Sequence, residues 1–167
     1  MKPEKNFTTA YNLLHQGTLA LARAEQVGMC IDREYCETEK ARLTTQIESM
    51  EEEFRNTNFY RRWAHTQKTV NIHSNPQLAA YLYKTRRLKP PTETTSGMGS
   101  TDEEALRSFN MPELNQLLEI RKLKKIRDTY LDAYLREEVN GRIHPSFNLH
   151  LVTTYRSSSD RPNFQNI

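Results

Sequence analysis

The sequence predicts a predominantly α-helical protein in which long antiparallel helices carry small helices at their far tip, followed by a short β segment. Three observations predict it. Apolar residues recur at helical spacing along residues 36–54 and again from Leu123 to Tyr134. Residues that cap helices (Asp32, Ser74, Thr101) stand in front of candidate helices, while Gly28, the loop at 85–100 and Asn140-Gly141 mark where helices should stop. With 36% hydrophobic and 27% charged residues in 167, any core is modest, which suits elongated helices better than a thick globule.

The first helix is expected over Tyr11 to Val27, with Leu13, Leu14, Leu19 and Ala22 as a partial apolar stripe and Gly28 as its stop. Met29, Cys30 and Ile31 form a short apolar link to Asp32, the N-cap of a helix over Arg33 to Phe54. Cys36, Leu43, Ile47, Met50 and Phe54 line one face of that helix. The run Glu51 to Glu53 is a solvated face. Residues 55–73, with Trp63 and the pair Arg61-Arg62, carry no clear period. Ser74 to Gln77 then reads as a capping box opening a short helix whose inner face is Leu78, Tyr81 and Leu82. Residues 85–100 read as a loop, a mobile tip on a single domain and not a linker because it is short and flanked by matching short helices, and Thr101 to Glu104 as a second capping box. A long helix is expected from Pro112 to Val139. Asn140-Gly141 should turn the chain, and Arg142 to Thr154 should be β, as a hairpin or a sheet edge.

Composition excludes several classes. Cys30 and Cys36 are too few for a zinc site and read as reduced thiols, and the five histidines show no metal-ligand spacing. No apolar run approaches the ~18 residues of a membrane span, and the N-terminus has no signal core, so the expected location is the cytoplasm. The formal charge of +3 does not by itself announce a nucleic-acid binder. Its distribution is more informative. Steps of 100° put Leu123, Ile126, Tyr130 and Tyr134 on one side of the last helix, and Arg121, Lys124, Lys125 and Asp128 on the other. Such a ridge is either a plain solvated face or a grip on phosphates that ignores sequence.

On composition the last fourteen residues, TYRSSSDRPNFQNI, could be a disordered polar tail. Their order says otherwise. Thr154, Arg156, Ser158, Ser159, Pro162, Asn163, Gln165, Asn166 and Ile167 stand in register with T-G-R-x-S-S-x-x-P-N-L-Q-N-I-P, and the run resembles the motif that opens the palm of family A DNA polymerases. Gly141-Arg142-Ile143-His144 with Phe147-Asn148 is similar to the family's G-R-x-H-x-x-F-N. Leu117 to Lys125 with Thr129 to Asp132 resembles its long thumb helix. Asn71 to Ser74 and Ser100 to Glu104 resemble its two thumb-tip loops, and Glu25, Gly28 and Asp32 its E-x-x-G-x-x-x-D entry. Tyr155, Ser157 and Arg161 depart from the pattern and look more like a phage enzyme than a bacterial one.

The resemblance implies an N-terminal lead-in at 1–18, a polymerase thumb at 19–140 and the start of a palm at 141–167. It implies DNA contacts at Asn71, Ser74, Ser100, Thr101, Arg121, Lys124, Lys125, Thr154, Arg156, Asn163, Gln165 and Asn166. Arg156, Gln165 and Asn166 would read minor-groove acceptors near a primer end, which every correct base pair presents in similar places. The implied partners are primer-template DNA, deoxynucleotides in the complete enzyme, and a palm-and-fingers polypeptide. Magnesium belongs to the complete enzyme, whose palm aspartates hold it. Beyond Gly141 this sequence has one carboxylate, Asp160, where the family has no metal ligand, so no cofactor and no polymerase activity are expected of this chain alone. A split gene, an interrupting intron or intein, or a cut polypeptide would each account for the stop at Ile167. The alternative reading is a stand-alone duplex-binding helical module without a catalytic role.

Overall fold

The computed structural model describes residues 3–95, 97–149, 151–152 and 156–164. Among the elements are α1 (Pro3–Val27), β1 (Met29–Cys30), α2 (Arg33–Arg55), α3 (Asn58–Ala64), α4 (Asn75–Ala79), α5 (Glu103–Ser108), α6 (Pro112–Lys125), α7 (Asp132–Glu137), β2 (Glu138–Val139), β3 (Arg142–Ile143), β4 (Ser146–Asn148) and β5 (Ser158–Asp160). Two π-helical stretches, Ala80–Thr85 and Ile126–Leu131, continue α4 and α6. The protein is predominantly α with small antiparallel sheets, as the sequence predicts. The chain forms two compact units, one of residues 41–127 and one of residues 1–40 with 128–167.

The 41–127 unit holds the main core. Ile47 and Phe54 from α2 meet Phe59 and Trp63 from α3, Leu78, Tyr81 and Leu82, Leu106 from α5, and Leu114, Leu117, Leu118 and Ile120 from α6. The expected α2 face is buried at Leu43, Ile47 and Phe54, and Met50 packs at its margin. The unassigned stretch 55–73 supplies α3. Thr57 Oγ1 accepts from Tyr60 N at 3.1 Å, and Phe59 and Trp63 lie one turn apart on the inner side. In this unit α2 runs antiparallel to α6 and its π continuation. Gln116 Nε2 donates to Met50 O at 3.4 Å and Arg127 Nη1 to Thr44 Oγ1 at 3.5 Å, so residue numbers rise along one as they fall along the other.

In the other unit, Asp32 Oδ1 caps α2 by accepting from Tyr35 N at 2.9 Å. Arg33 and Lys40 on α2 pair with Glu138 at 2.7 Å and Asp132 at 2.6 Å, again in antiparallel order. A three-stranded sheet has the order β1-β3-β2, with Met29 opposite Ile143 and Val139 opposite Arg142. Asn140 and Gly141, both at positive φ, make the two-residue turn between β2 and β3. Gly28 stops α1 at φ +64°, where a Cβ would stand 2.7 Å from the His144 ring. The strands β4 and β5 pair antiparallel, Phe147 opposite Ser159.

Four expectations are corrected. The last helix does not run unbroken to Val139. The π stretch adds residues to a turn and so shifts the 100° phase, and Glu138 and Val139 are drawn into β2 because the Asn-Gly turn sets them opposite β3. The α1 stripe is not buried: Leu13 and Leu19 are exposed, and the covered side runs through Leu14, Gly17, Leu21 and Glu25, which faces β4. The cap of α5 is Asp102, not Thr101, because its carboxylate reaches the Ala105 amide at 2.8 Å. Among the described residues of 142–152, β3 and β4 do not pair as a hairpin with each other: β3 lies between β1 and β2, β4 pairs with β5, and Pro145 stands between the two strands.

Candidate nucleic-acid interface

Two helix starts in the 41–127 unit share a cleft of about 280 Å³, lined by Asn75, Pro76 and Ala79 on one side and Gly99, Ser100, Thr101 and Asp102 on the other. The first start is a tied loop. Asn71 Oδ1 accepts from His73 N at 2.9 Å, and Asn71 N donates to Gln77 Oε1 at 2.7 Å. Ser74 Oγ accepts from Gln77 N at 3.4 Å, so it caps α4 as expected, but Gln77 returns its bond to Asn71, not to Ser74. His73 Nε2 lies 2.8 Å from Glu51 Oε1, and Arg55 holds the other Glu51 oxygen at 2.6 Å. Asn71 stays exposed.

At the second start, Ser100 Oγ donates to Asp102 Oδ2 at 2.7 Å and accepts from Asp102 N at 3.1 Å. The Ala105 amide, then the Ser100 hydroxyl, hold the Asp102 carboxyl below its ordinary value. Tyr83 donates its hydroxyl proton to Ser100 O, a contact the sequence offers no signal for. Arg121 Nη1 donates to Thr101 O at 3.4 Å, while its Nη2 is buried with no hydrogen-bond partner among the described residues. Burial lowers the Arg121 pKa, yet a guanidinium stays charged.

The expected ridge is therefore not uniform. Arg121 is turned in toward the Ser100–Asp102 loop, Lys124 is half-buried, and Lys125 is exposed one turn beyond Arg121. The structure thus brings Ser100, Thr101 and Arg121 together, with Ser74 next to the cleft residue Asn75. In the other unit, Arg156 and Asn163 are exposed, and Ser159 is buried with its Oγ accepting from Phe164 N at 2.9 Å. Thr154, Gln165 and Asn166 lie outside the described residues.

One prediction arises from the Glu51 anchor. Burial pushes its carboxyl up, but hydrogen bonds from His73 and Arg55 outweigh this and leave it below the ordinary value of 4.5. A depressed carboxylate gives stability that is present above its unfolded value and is lost as pH falls through the folded one. Glu51→Gln is expected to be less stable than the parent at neutral pH, with the gap closing on acidification below about pH 4.5. Denaturant titrations at several pH values check this. A gap that did not change with pH would show that the charge of the Glu51 carboxylate adds nothing to stability.

The fold has a solved counterpart. The POL domain of Pol1 from M. smegmatis, in complex with DNA primer-template and dNTP, superimposes with a TM-score of 0.75 at 30% identity, covering 88% of this chain and 25% of that one. The model of DNA polymerase family A matches residues 33–167, so this chain belongs to DNA polymerase family A. It is 40% identical over 129 residues to DNA polymerase I of Aquifex aeolicus, covering 75% of this chain and 21% of that protein. It is 30% identical over 169 residues to DNA polymerase I of Rhizobium leguminosarum, covering 96% and 16%. The chain thus spans about a fifth or less of the length of these relatives. Among the described residues no helix is long and apolar enough to cross a membrane.

Proposed function

We propose that this chain is the duplex-gripping part of a DNA-directed DNA polymerase, with residues 19–140 as thumb and 141–167 opening the palm. The observation that carries the reading is the shared cleft, where the first turn of α4 faces the Ser100–Asp102 loop and Arg121 is rooted against that loop. Hydroxyl, amide and cationic groups of this kind hold phosphates without regard to sequence. Asn71, Ser74, Ser100, Thr101, Arg121, Lys124 and Lys125 take the backbone in this reading. Thr154, Arg156, Asn163, Gln165 and Asn166 meet the duplex near the primer end. Primer-template DNA and deoxynucleotides, both present with the M. smegmatis protein, are the proposed partners of the complete enzyme, and a palm-and-fingers polypeptide completes it. A phage origin fits the departures at Tyr155, Ser157 and Arg161.

The magnesium chemistry of such an enzyme does not fit this chain's own carboxylates. In the 1–40 and 128–167 unit, Glu138 is engaged by Arg33 and the Gly141 amide, Asp132 by Lys40, and Glu25 by the Phe147 amide. Among the described residues no group of three or more His, Cys, Asp or Glu could hold a metal ion.

The test is binding and extension with the purified chain. It is expected to bind duplex with an affinity that falls steeply with salt, and to leave primers unextended with magnesium and all four nucleotides. Template-dependent extension by the chain alone would overturn the division between grip and catalysis. Salt-independent or absent duplex binding would overturn the grip itself.

A further inference from the structure

A second cationic surface lies away from the cleft. Between Glu53 and Glu93 the sequence contains no carboxylate and eight lysines and arginines. The fold collects part of that charge. Arg61 and Arg62 occupy the last turn of α3, and Arg86 and Arg87 follow the π stretch that extends α4. All four are exposed, and among the described residues none forms an ion pair with a carboxylate. The Arg86 guanidinium lies 6.0 Å from the Phe59 ring centre, which brings the end of the π stretch against α3. Burial raises the Tyr81 hydroxyl pKa, and the charges of Arg86 and Arg62 both pull it back. Glu113 is the single carboxylate acting on that same hydroxyl.

Cations at helix C-termini are expected from the helix dipole. That effect asks for one or two side chains and gives no reason for a carboxylate-free stretch around them. The Arg86-Arg87 pair is also set apart from the Ser74 wall of the cleft. The helix from Asn75 to Thr85 rises roughly 15 Å at about 1.5 Å per residue, so the Arg86-Arg87 pair sits at the opposite end from Ser74.

We propose that Arg61, Arg62, Arg86 and Arg87 form a second phosphate-binding surface for double-stranded nucleic acid, engaged when the duplex extends beyond the cleft. The proposal rests on the duplex-gripping reading above. Arginine's planar fork suits phosphate oxygens. The aromatic rings beside the patch are turned inward: Phe59, Trp63 and Tyr81 are buried, and Tyr60 packs on Phe54. No stacking platform faces outward there, which favours duplex phosphates over unpaired bases.

The experiment compares the chain with Arg61→Gln/Arg62→Gln on duplexes of about one and about three helical turns, ~10 and ~30 bp, across a salt series. On the long duplex the double variant is expected to bind roughly 10-fold more weakly at low salt, with the salt slope reduced by about two. On the short duplex, which at about 34 Å covers both surfaces in only some of its registers, the loss should be smaller. Arg61→Lys/Arg62→Lys should keep the slope, and thermal melts verify folding. If the parent binds both duplexes and Lys125→Ala weakens it, but the Gln variant is indistinguishable from the parent, the second surface is refuted and the grip stands. If the parent binds neither, both readings fall. Preferential loss of single-stranded binding, or displacement by polyglutamate but not by duplex, would assign the patch to another partner and overturn the proposal.

Discussion

Trp63→Ala is expected to destabilise the 41–127 unit by about 3–5 kcal/mol, the cost of removing a large buried aromatic. In a chain of this size that corresponds to a fall in Tm of roughly 10 °C or more. Trp63 is fully buried, stacks on Tyr81 with ring centres 5.6 Å apart, and meets the edge of Phe59 at 6.3 Å. Phe59 and Tyr81 in turn contact at 5.2 Å, so one deletion opens a cavity between α3 and the π stretch that continues α4. Trp63→Phe should cost much less. The indole Nε1 is buried without a hydrogen-bond partner among the described residues, so phenylalanine removes an unmatched donor while keeping most of the ring volume. Guanidinium chloride titrations of the three proteins check both values. If alanine and phenylalanine destabilised equally, the loss would lie in the part of the indole ring that both lack and not in the ring volume that phenylalanine keeps. If alanine cost under about 1 kcal/mol, α3 would not belong to the core.

How much of this was legible beforehand can be judged residue by residue. The α2 face was, because a helix of 23 residues gives its period several turns in which to repeat. The Asn140-Gly141 turn was, because few dipeptides accept positive φ at both positions. α3 was not, since seven residues are too few to show a period. Thr57 as a cap with Phe59 and Trp63 one turn apart was the available signal. The π stretch after Lys125 escapes any 100° construction. Around the cleft, Ser74 was readable as a cap because a side-chain oxygen and an amide three residues on lie within one turn. The partner of Arg121 was not, because the Thr101 carbonyl is twenty residues away in sequence and carries no residue-type signature. Helical periodicity told that a cation stood at 121, not which way it leaned.

That lean makes Arg121, Lys125 and Arg156 fail in three different ways. Lys125 is exposed, so Lys125→Ala should leave stability unchanged, weaken duplex binding for every sequence, and lower the salt slope by about one. Arg121→Ala should produce the same binding defect and also lose roughly 1–3 kcal/mol of stability, because its stem is packed and its guanidinium holds the Thr101 carbonyl. Arg121→Lys should not recover that loss, since an ammonium lacks the fork that spans the site. Arg156 lies in the other unit and is exposed. Arg156→Ala is expected to leave binding of long blunt duplex nearly unchanged. In a polymerase restored with its palm and fingers, the same change should slow extension roughly 10- to 100-fold, the worth of about 1–3 kcal/mol of groove contact, and blunt discrimination against a mismatched primer end. The reason is geometric: a groove hydrogen bond forms only on a correctly shaped pair, whereas a phosphate contact is indifferent to pairing. Salt-series titrations, unfolding curves and extension from matched and mismatched primers separate the three. If Arg156→Ala reproduced Lys125→Ala in binding and extension alike, Arg156 would be a phosphate contact and the assignment of base-pair checking to the terminal motif would fail.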